Sequence, residues 1–421
     1  MKKTILTACL LAYFGVVLSQ TLATRLHDAY DTFKEKTIAD RRSFKHHQLS
    51  ALVEKLKKQD KMTVSEVGQS FEKRGIFQVK YGTGKKTVLL WSQMHGDEST
   101  ATMAIFDMFN FLTASGDGFD DFRKKLAEKT TLYFVPMLNP DGAERWQRRT
   151  AQEIDMNRDA LRLVCPESEV LKRLQNTYKP DFAFNLHDQN SRLSAGPTPH
   201  LATLSFLATA YDYPLSINAV RKNSMRLIVG MNKVLQQFIP NQVARYSDEH
   251  EPRAFGDNIQ KWGSSLILIE SGGYKNDPEK QYIRKLNFIT ILTGLNLIAN
   301  GEVSKEKYKD YFKLPENDNY HFDLIVRNAQ ISLYGKTYKT DIGINRREIN
   351  NETATHFTYR SDIADFGDLS IFHGIEELDA KGALVTDKDG NNITLKPNVS
   401  ATFLLKKGNE IVFSIENGFV K

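Results

Sequence analysis

A histidine and a glutamate lie three residues apart directly after an apolar stretch of the chain. Residues 88–91 read VLLW and residues 92–98 read SQMHGDE, which places His95 and Glu98 in one short segment. Imidazole nitrogen and carboxylate oxygen are both zinc ligands, and Gly96 allows the chain to turn between them. The spacing therefore indicates part of a metal site. Taken alone, the segment also fits a turn before a helix, because acidic residues are favoured in the first turn.

Three further apolar stretches also end in polar side chains. Residues 132–138 run into an Asn-Pro-Asp-Gly segment, residues 182–186 run into His187, and residues 266–269 run into Glu270. Continuous apolar strands separated by helical patterns predict an α/β fold with a mixed, largely parallel sheet between helices. In such a sheet, ligands bind outside the carboxyl ends of the strands. We therefore expect these polar residues to face one crevice.

The residue types predict zinc as the metal and hydrolysis as the chemistry. His95, Glu98 and His187 make three protein ligands, which leaves a fourth position open for water. A water on such an ion becomes a nucleophile near neutral pH. Glu270 would then serve as general base and later as proton donor. We expect one zinc ion per chain.

Four segments, taken in order, resemble the zinc carboxypeptidases of the M14 family, the carboxypeptidase A type. They are MHGDE, NPDGAERWQRRTAQEIDMNRD, NLHD and ILIESGG, and the resemblance covers roughly residues 65–299. It implies a carboxypeptidase-like fold and zinc bound by the two histidines and the glutamate named above. It also implies that Glu270 activates a zinc-bound water to hydrolyse C-terminal peptide bonds.

The same resemblance assigns residues to the substrate, a peptide with a free C-terminal carboxylate. Asn157 and Arg158 would hold that carboxylate, the guanidinium through two charge-assisted hydrogen bonds. Asp155 would orient the first zinc histidine. The arginine that polarises the scissile carbonyl would be Arg148, with the adjacent Arg149 as the alternative.

Two family features have no clear counterpart in the sequence. The phenolic tyrosine of the family lies some twenty residues before the catalytic glutamate, and Tyr246 is near that place without a matching motif. The segment that sets the preference for the last side chain contains Phe255, Asp257 and Trp262. A preference for bulky apolar residues and a preference for basic residues, through Asp257, both stay open.

The elements that position these residues define four regions. Lys2 and Lys3 followed by an apolar stretch predict a signal peptide over residues 1–19, and hence a secreted or periplasmic protein. Helical spacing is visible over about residues 23–61, 99–113 and 219–238. We expect a zinc carboxypeptidase-like α/β domain over 20–300, a linker over 301–319, and a β-rich accessory domain over 320–421, where alternation and Asp-Gly or Gly-Asn turns predict strands.

Composition limits the partners. The chain has 421 residues, of which 41% are hydrophobic and 26% charged, with a formal net charge of +6. This charge is small for the length, so nucleic acid is not an expected partner. The apolar stretch near the N-terminus is too short to favour a membrane span. After removal of the signal peptide, we expect no stable membrane span. Cys165 is the single cysteine beyond the signal, so we expect no internal disulfide.

Three alternatives to a peptide carboxypeptidase stay open. The same chemistry could act on cell-wall peptides, which also end in free carboxylates. A deacylase of N-acyl amino acids, of the aspartoacylase and desuccinylase type, shares the His-x-x-Glu spacing, an Asn-Arg pair and a third histidine. The signal peptide and the Ser-Gly-Gly after Glu270 speak against it. A catalytically dead peptide-binding protein would typically have lost a ligand or the base, and all are present here.

Overall fold

The structure, a computed structural model, describes residues 22–421. The predicted signal peptide, residues 1–19, lies outside the described residues. The chain divides into two compact units. The first unit runs up to Ser191 and continues over Ala202–Asn317, and the second combines Arg192–Leu201 with Asp318–Lys421.

A mixed eight-stranded sheet forms the centre of the first unit. The strands up to residue 271 are β1 (Thr63–Gln69), β2 (Gly75–Tyr81), β3 (Lys86–Ser92), β4 (Thr130–Val135), β5 (Phe182–Asp188), β6 (Ser194–Ala195), β7 (Leu204–Leu207), β8 (Val243–Arg245) and β9 (Ser265–Ser271). Without β6 they form one sheet in the order β1-β2-β4-β3-β5-β9-β7-β8. The central strands β4, β3, β5 and β9 are parallel, whereas β2 and β7 pair antiparallel with them. The predicted mixed, largely parallel sheet is confirmed.

Helices cover both faces of this sheet. They are α1 (22–33), α2 (His46–Leu56), α3 (Thr100–Thr113), α4 (Asp120–Lys129), α5 (Pro140–Arg145), α6 (Pro166–Tyr178), α7 (Ala219–Leu235), α8 (Phe255–Lys261) and α9 (Gln281–Ala299). Helical spacing predicted α3 and α7. It did not single out α9, because this helix is buried nearly all round and so lacks a clear polar face.

Alternate side chains of the central strands enter two different cores. In β3, Val88 and Leu90 belong to the larger core, whereas Leu89 and Trp91 belong to the smaller one. Both faces of the strand are therefore shielded from water, which is why its sequence is continuously apolar. The polar segment after Trp91 begins at the end of the strand and is itself still buried as far as Gly96.

The second unit is a β-structure with its own core. Its strands, preceded by β10 (Asn317–Asp318), are β11 (His321–Leu333), β12 (Lys336–Asn350), β13 (Phe357–Gly367), β14 (His373–Asp379), β15 (Leu384–Thr386), β16 (Phe403–Lys407), β17 (Glu410–Glu416) and β18 (Phe419–Val420). They form a sheet in the order β13-β12-β11-β15-β16-β17-β18, with β14 also paired to β11. Leu324, Ile342 and Phe403 are among the side chains of its core.

The segment predicted as a linker contains two short 3-10 helices, Glu302–Lys305 and Tyr308–Lys313. The ring of Tyr311 is fully buried, and its hydroxyl accepts a hydrogen bond from the backbone N–H of Ala208 at 3.2 Å. This contact lies inside the first unit. Among residues 22–421, no helix has the length and the apolar content needed to cross a membrane.

Candidate metal centre

The predicted metal ligands lie at the carboxyl ends of neighbouring strands. His95 and Glu98 follow β3, and His187 is close to the end of β5, the strand that pairs in parallel with β3. All three side chains are buried, and one ligand atom from each lies within 4.8 Å of the others. Asp97, between the two ligands of the first segment, is not part of this cluster. Two distant parts of the chain thus supply one donor set.

Both histidines direct the same ring nitrogen toward the glutamate. The Nδ1 atom of His95 is 2.8 Å from Glu98 Oε1, and the Nδ1 atom of His187 is 2.7 Å from Glu98 Oε2. The two Nδ1 atoms are 3.2 Å apart. Two imidazole nitrogens and a carboxylate that converge in this way form a donor set suited to zinc.

The segment between β3 and Glu98 is shaped by close packing against another loop. The chain turns at Gly96 and Asp97, where the N–H of Glu98 donates to the backbone oxygen of His95 at 3.2 Å. Gln93, before this turn, has a left-handed φ of 46°. Gly96 is also required for close packing. A Cβ there would be 2.0 Å from the backbone carbon of Gly142, in the segment that follows β4. The side chain of Asn139 also donates to the backbone oxygen of Met94 at 3.3 Å.

Asp155 and Arg148 lie directly around the cluster. Asp155 Oδ1 is 3.2 Å from His95 Nε2, the ring nitrogen on the side away from Glu98. Arg148 Nη1 donates to Glu98 Oε1 at 3.0 Å, and Nη2 donates to Asp155 Oδ2 at 3.0 Å. The neighbouring Arg149 instead donates to the backbone oxygen of Glu153. Of the two candidate arginines, only Arg148 reaches the cluster by a hydrogen bond in the described chain.

The buried charges shift one another's pKa values. Burial alone would raise the pKa of Glu98, but His95 and His187 hold it well below its usual range. Burial alone would lower the pKa of His95, but Glu98 and Asp155 together raise it to about 9. Burial lowers the pKa of His187. Of the three side chains, His95 is thus the one whose protonated form the surroundings favour.

Glu270 lies beside the candidate metal ligands, on the strand next to that of His187. It is directly opposite His187 in the parallel ladder between β5 and β9, so the two side chains leave the same face of the sheet about 4.8 Å apart. Burial raises the pKa of Glu270 well above its usual range, and the charge of Glu98 raises it further. A carboxyl group with such a pKa can both accept and return a proton near neutral pH.

Tyr246, which follows β8, belongs to the same neighbourhood. Its side chain is 38% exposed, and its backbone N–H donates to Phe206 of β7 at 2.9 Å. Burial raises the pKa of its phenol, and the charge of Glu270 raises it further, while Arg148 lowers it. The pKa of the phenol thus depends on charged residues of the candidate centre. The sequence alone did not establish that Tyr246 belongs to this centre.

Asn157 and Arg158 lie on a short 3-10 helix, Met156–Arg158, next to the cluster. Asp155 caps this helix by accepting the N–H of Asn157 at 3.0 Å, so one carboxylate contacts both His95 and the Asn-Arg pair. The side-chain oxygen of Asn157 accepts from the N–H of Phe255 at 3.0 Å. Arg158 Nη1 donates to the backbone oxygen of Asn157 at 2.8 Å.

Glu251 is a neighbour of Arg158 that sequence reasoning missed. Its Oε2 atom is 3.1 Å from Arg158 Nε, and its two oxygens accept from Arg253 at 3.0 and 2.8 Å. The backbone N–H of Glu251 donates to Asp257 Oδ2 at 2.7 Å. Glu251 lies in a loop without a regular pattern, so nothing in the sequence signals this contact.

The three candidate specificity residues are differently placed. Phe255 is fully buried in the smaller core, and Trp262 lies under the ammonium of Lys172, 3.1 Å from the ring centroid. The carboxylate of Asp257 accepts from Glu251 and is 3.0 Å from His250 Nδ1. Because Asp257 already holds this loop, a preference for basic last residues through Asp257 gains no support from the geometry.

Fold and site together define a class of protein: an α/β protein with a buried His-Glu-His cluster, a candidate metal centre, at the carboxyl ends of parallel strands. Residues 49–225 match the family model described as zinc carboxypeptidase, peptidase M14. This match confirms the resemblance of that part of the chain to the M14 zinc carboxypeptidases. The matched range includes both histidine ligands and ends before Glu270.

Curated relatives match over a shorter range. A probable carboxypeptidase 2 of Arthroderma benhamiae is 28% identical over 113 residues, which covers 27% of this chain and 21% of the relative. Carboxypeptidase Z of Gallus gallus is 28% identical over 140 residues, which covers 28% of this chain and 22% of the relative. The chain thus spans about a fifth of the length of the curated relatives it matches.

Among solved structures, a metallo-carboxypeptidase from Burkholderia cenocepacia is 18% identical, with a TM-score of 0.49 over 61% of this chain and 69% of that chain. The carboxypeptidase A of Helicoverpa armigera is 16% identical, with a TM-score of 0.47 over 67% of this chain and 81% of that chain.

Proposed function

We propose that the protein is a zinc-dependent metallocarboxypeptidase that removes C-terminal residues from peptides. The observation that carries the proposal is the convergence of His95, Glu98 and His187, with Glu270 on the adjacent strand of the sheet. The family match over residues 49–225 supports the same reaction class.

The residues present fit a zinc ion. Two imidazole nitrogens and one carboxylate form the donor set, and all three side chains are buried. The free ring nitrogen of His95 is bonded to Asp155, the usual arrangement around a zinc histidine. When bound, zinc acts as a Lewis acid that polarises a carbonyl group and lowers the pKa of a coordinated water.

The basic side chains around the cluster would bind and orient the substrate. Arg158 and Asn157 would receive the C-terminal carboxylate, because a guanidinium matches a carboxylate in shape and charge. Arg148 is held by Asp155 and Glu98 at the edge of the cluster. From there, its fixed positive charge would stabilise the oxygen of the scissile carbonyl as that oxygen becomes negative.

Glu270 would move the proton. Its raised pKa, caused by burial and by Glu98, suits a group that takes a proton from the attacking water and gives it to the leaving amine. The charge of Glu270 raises the pKa of the Tyr246 phenol, and this phenol would be available to close over the bound substrate.

We propose that the protein is exported. The support is the order of Lys2 and Lys3 and the apolar residues 5–18 in the sequence. Expression of the full chain with a C-terminal tag would test it. Cleavage after residue 19 and recovery outside the cytoplasm are the expected result, and an uncleaved cytoplasmic chain would contradict it.

Matched peptides with free and amidated C-termini test the reaction class. We expect cleavage of the last residue from the free peptides only, and loss of this activity with a zinc chelator. Equal cleavage of amidated peptides would contradict the role given to Asn157 and Arg158. N-acyl amino acids and cell-wall peptides, assayed in parallel, separate the two alternative substrate classes.

A further inference from the structure

A buried lysine lies behind the candidate metal centre. Lys280 is only 3% exposed, and its ammonium donates to the backbone oxygen of Ser271 at 2.8 Å and to that of Gln189 at 3.3 Å. It also pairs with the carboxylate of Asp188 at 3.4 Å. Removing an ammonium group from water is strongly unfavourable unless hydrogen bonds and an opposite charge compensate it. A buried lysine with these partners therefore points to a specific task.

This lysine joins the ends of two strands. His187 on β5 lies opposite Glu270 on β9, and the chain continues into Gln189 on one side and Ser271 on the other. The N–H of Gln189 donates to the backbone oxygen of Ser271 at 2.9 Å, and Lys280 donates to the same oxygen. The backbone oxygen of Ser271 is thus a shared acceptor that connects the ends of β5 and β9 directly after His187 and Glu270.

Asp188 extends the network to the third metal ligand. Its carboxylate accepts from Thr100 Oγ1 at 2.6 Å, in addition to its ion pair with Lys280. Its backbone N–H donates to Glu98 Oε2 at 3.2 Å. Thr100 is the first residue of α3 and follows Glu98 by two positions. Through Asp188, Lys280 is therefore connected to the segment after β3, which carries His95 and Glu98, and to the end of β5, which carries His187.

Helix capping does not account for the lysine side chain. Lys280 precedes α9, but the exposed N–H groups at the start of this helix are bound by Asp277, which accepts from Gln281 at 2.7 Å and from Tyr282 at 2.9 Å. The side chain of Lys280 points instead into the network around Asp188. The helix begins without its help.

We propose that Lys280 is a positioning residue that locks the ends of β5 and β9, so that His187 and Glu270 face one metal ion. Its effect on metal binding depends only on the ligand cluster, whereas its effect on turnover rests on the proposed function. Lys280 does not touch the substrate in this scheme. It acts through Ser271, Gln189 and Asp188.

Three variants test the proposal. Lys280→Met keeps the length of the side chain and removes its charge and donors, and Lys280→Arg keeps the charge. Lys285→Met is the control, because Lys285 lies on α9, where its ammonium is 5.6 Å from the ring of Tyr30. The zinc affinity of each metal-free protein is measured with zinc alone against a competing chelator, together with the visible spectrum of the cobalt(II) form and the values of kcat and KM.

We expect Lys280→Met to weaken zinc affinity and to lower kcat, each by about 10- to 100-fold, as for other residues that support metal ligands. The cobalt spectrum should change, KM should change little, and Lys280→Arg should restore part of the affinity. Lys285→Met should equal the unchanged protein. Unchanged zinc affinity and an unchanged cobalt spectrum in Lys280→Met would overturn the proposal.

A fourth variant covers the case in which Lys280→Met does not fold because it leaves the buried carboxylate of Asp188 without its ion pair. D188N/K280M removes both charges and should fold, yet bind zinc as weakly as expected for the single variant. Tight zinc binding by this double variant would equally overturn the proposal. If the unchanged protein binds zinc and cleaves no peptide, the proposed function fails, while the comparison of zinc affinities still decides the role of Lys280.

Discussion

At His95, protonation would compete with the proposed metal binding. Its pKa of about 9 reflects the nearby carboxylates of Glu98 and Asp155, and a zinc ion would have to displace a proton from this ring. We expect the zinc affinity of the metal-free protein to rise about tenfold per pH unit between about pH 6.5 and 8.5. Competition with a chelating dye at several pH values measures this slope.

Asp155→Asn provides the matched comparison. The hydrogen bond from Asp155 is one cause of the raised pKa of His95, so its loss should lower that pKa and flatten the slope. An affinity of the unchanged protein that does not vary with pH would show that His95 carries no proton to displace.

Glu270 should be needed for turnover and not for metal binding. Glu270→Gln keeps the size of the side chain and removes its capacity to take up a proton, so we expect kcat to fall by about 10²- to 10⁴-fold. Zinc content, measured by mass spectrometry, should stay at one ion per chain. Glu249→Gln, at an exposed position in the loop between β8 and α8, is the control and should keep full activity. Retained activity in Glu270→Gln would remove this residue from the mechanism.

Glu251 should act on substrate binding through Arg158. Glu251 contacts Nε of Arg158 at 3.1 Å, whereas Nη1 donates to the backbone oxygen of Asn157, so Glu251 anchors the guanidinium at its Nε atom. We expect Glu251→Gln to raise KM about tenfold for peptides with a free carboxylate, with kcat changed far less. A lower KM would mean that Glu251 competes with the substrate for Arg158.

At the level of elements, the sequence was sufficient where local pattern decides the structure. The apolar runs that became β3, β5 and β9 are continuous because parallel strands are buried on both faces, and each run is followed by a polar residue of the candidate centre. The contacts of Glu251 and Lys280 were not predictable. Glu251 lies in a loop and Lys280 at the start of a helix, and both contact residues that are distant in the chain. Neither the loop nor the helix start has a repeating sequence pattern from which such a contact could be predicted.

The loop that carries His95 depends on close contact with the loop after β4. A Cβ on Gly96 would lie 2.0 Å from the backbone of Gly142, and backbone cannot move aside as a side chain can. We expect Gly96→Ala to lower the free energy of unfolding by about 3 kcal/mol or more and to reduce zinc binding. Denaturant unfolding and zinc titration measure the two effects.

Gly256→Ala is the comparison for this prediction. Its added Cβ would meet only side-chain atoms, of Leu266 and Thr209, both at 3.1 Å. These side chains can shift by a few tenths of an ångström, so we expect a smaller loss of stability and normal zinc binding. Equal losses in the two variants would show that the contact between the loops is not what positions His95.

On the scale of the whole molecule, Gly272 and Gly273 pack against the two residues at which the chain leaves and re-enters the first unit, Ser191 and Ala202. A Cβ on Gly272 would be 2.0 Å from the backbone oxygen of Ala202, and one on Gly273 would be 2.0 Å from that of Ser191. Since Gly272 and Gly273 are adjacent, the two oxygens lie within about 10 Å of each other. Residues 192–201, which belong to the second unit, therefore form an excursion with closely spaced ends.

The excursion predicts how the chain tolerates loss of its C-terminal part. Residues 192–201 contain buried side chains, among them Ala195 and Leu201, and Arg192 pairs with Asp323 at 3.0 Å. A chain that ends at Asn317 keeps this segment without the rest of its unit. We expect such a chain to unfold at lower temperature and to aggregate, although every predicted metal ligand is present.

Replacing residues 192–201 in the shortened chain by Gly-Ser-Gly-Ser should restore solubility and zinc binding. Four residues span up to about 13 Å, enough to join Ser191 to Ala202 over the distance set by the two glycines. Thermal unfolding and zinc titration of both shortened chains check this. The chain that ends at Asn317 and keeps residues 192–201 could prove as stable as the full chain. That result would show that residues 192–201 do not need the rest of the second unit.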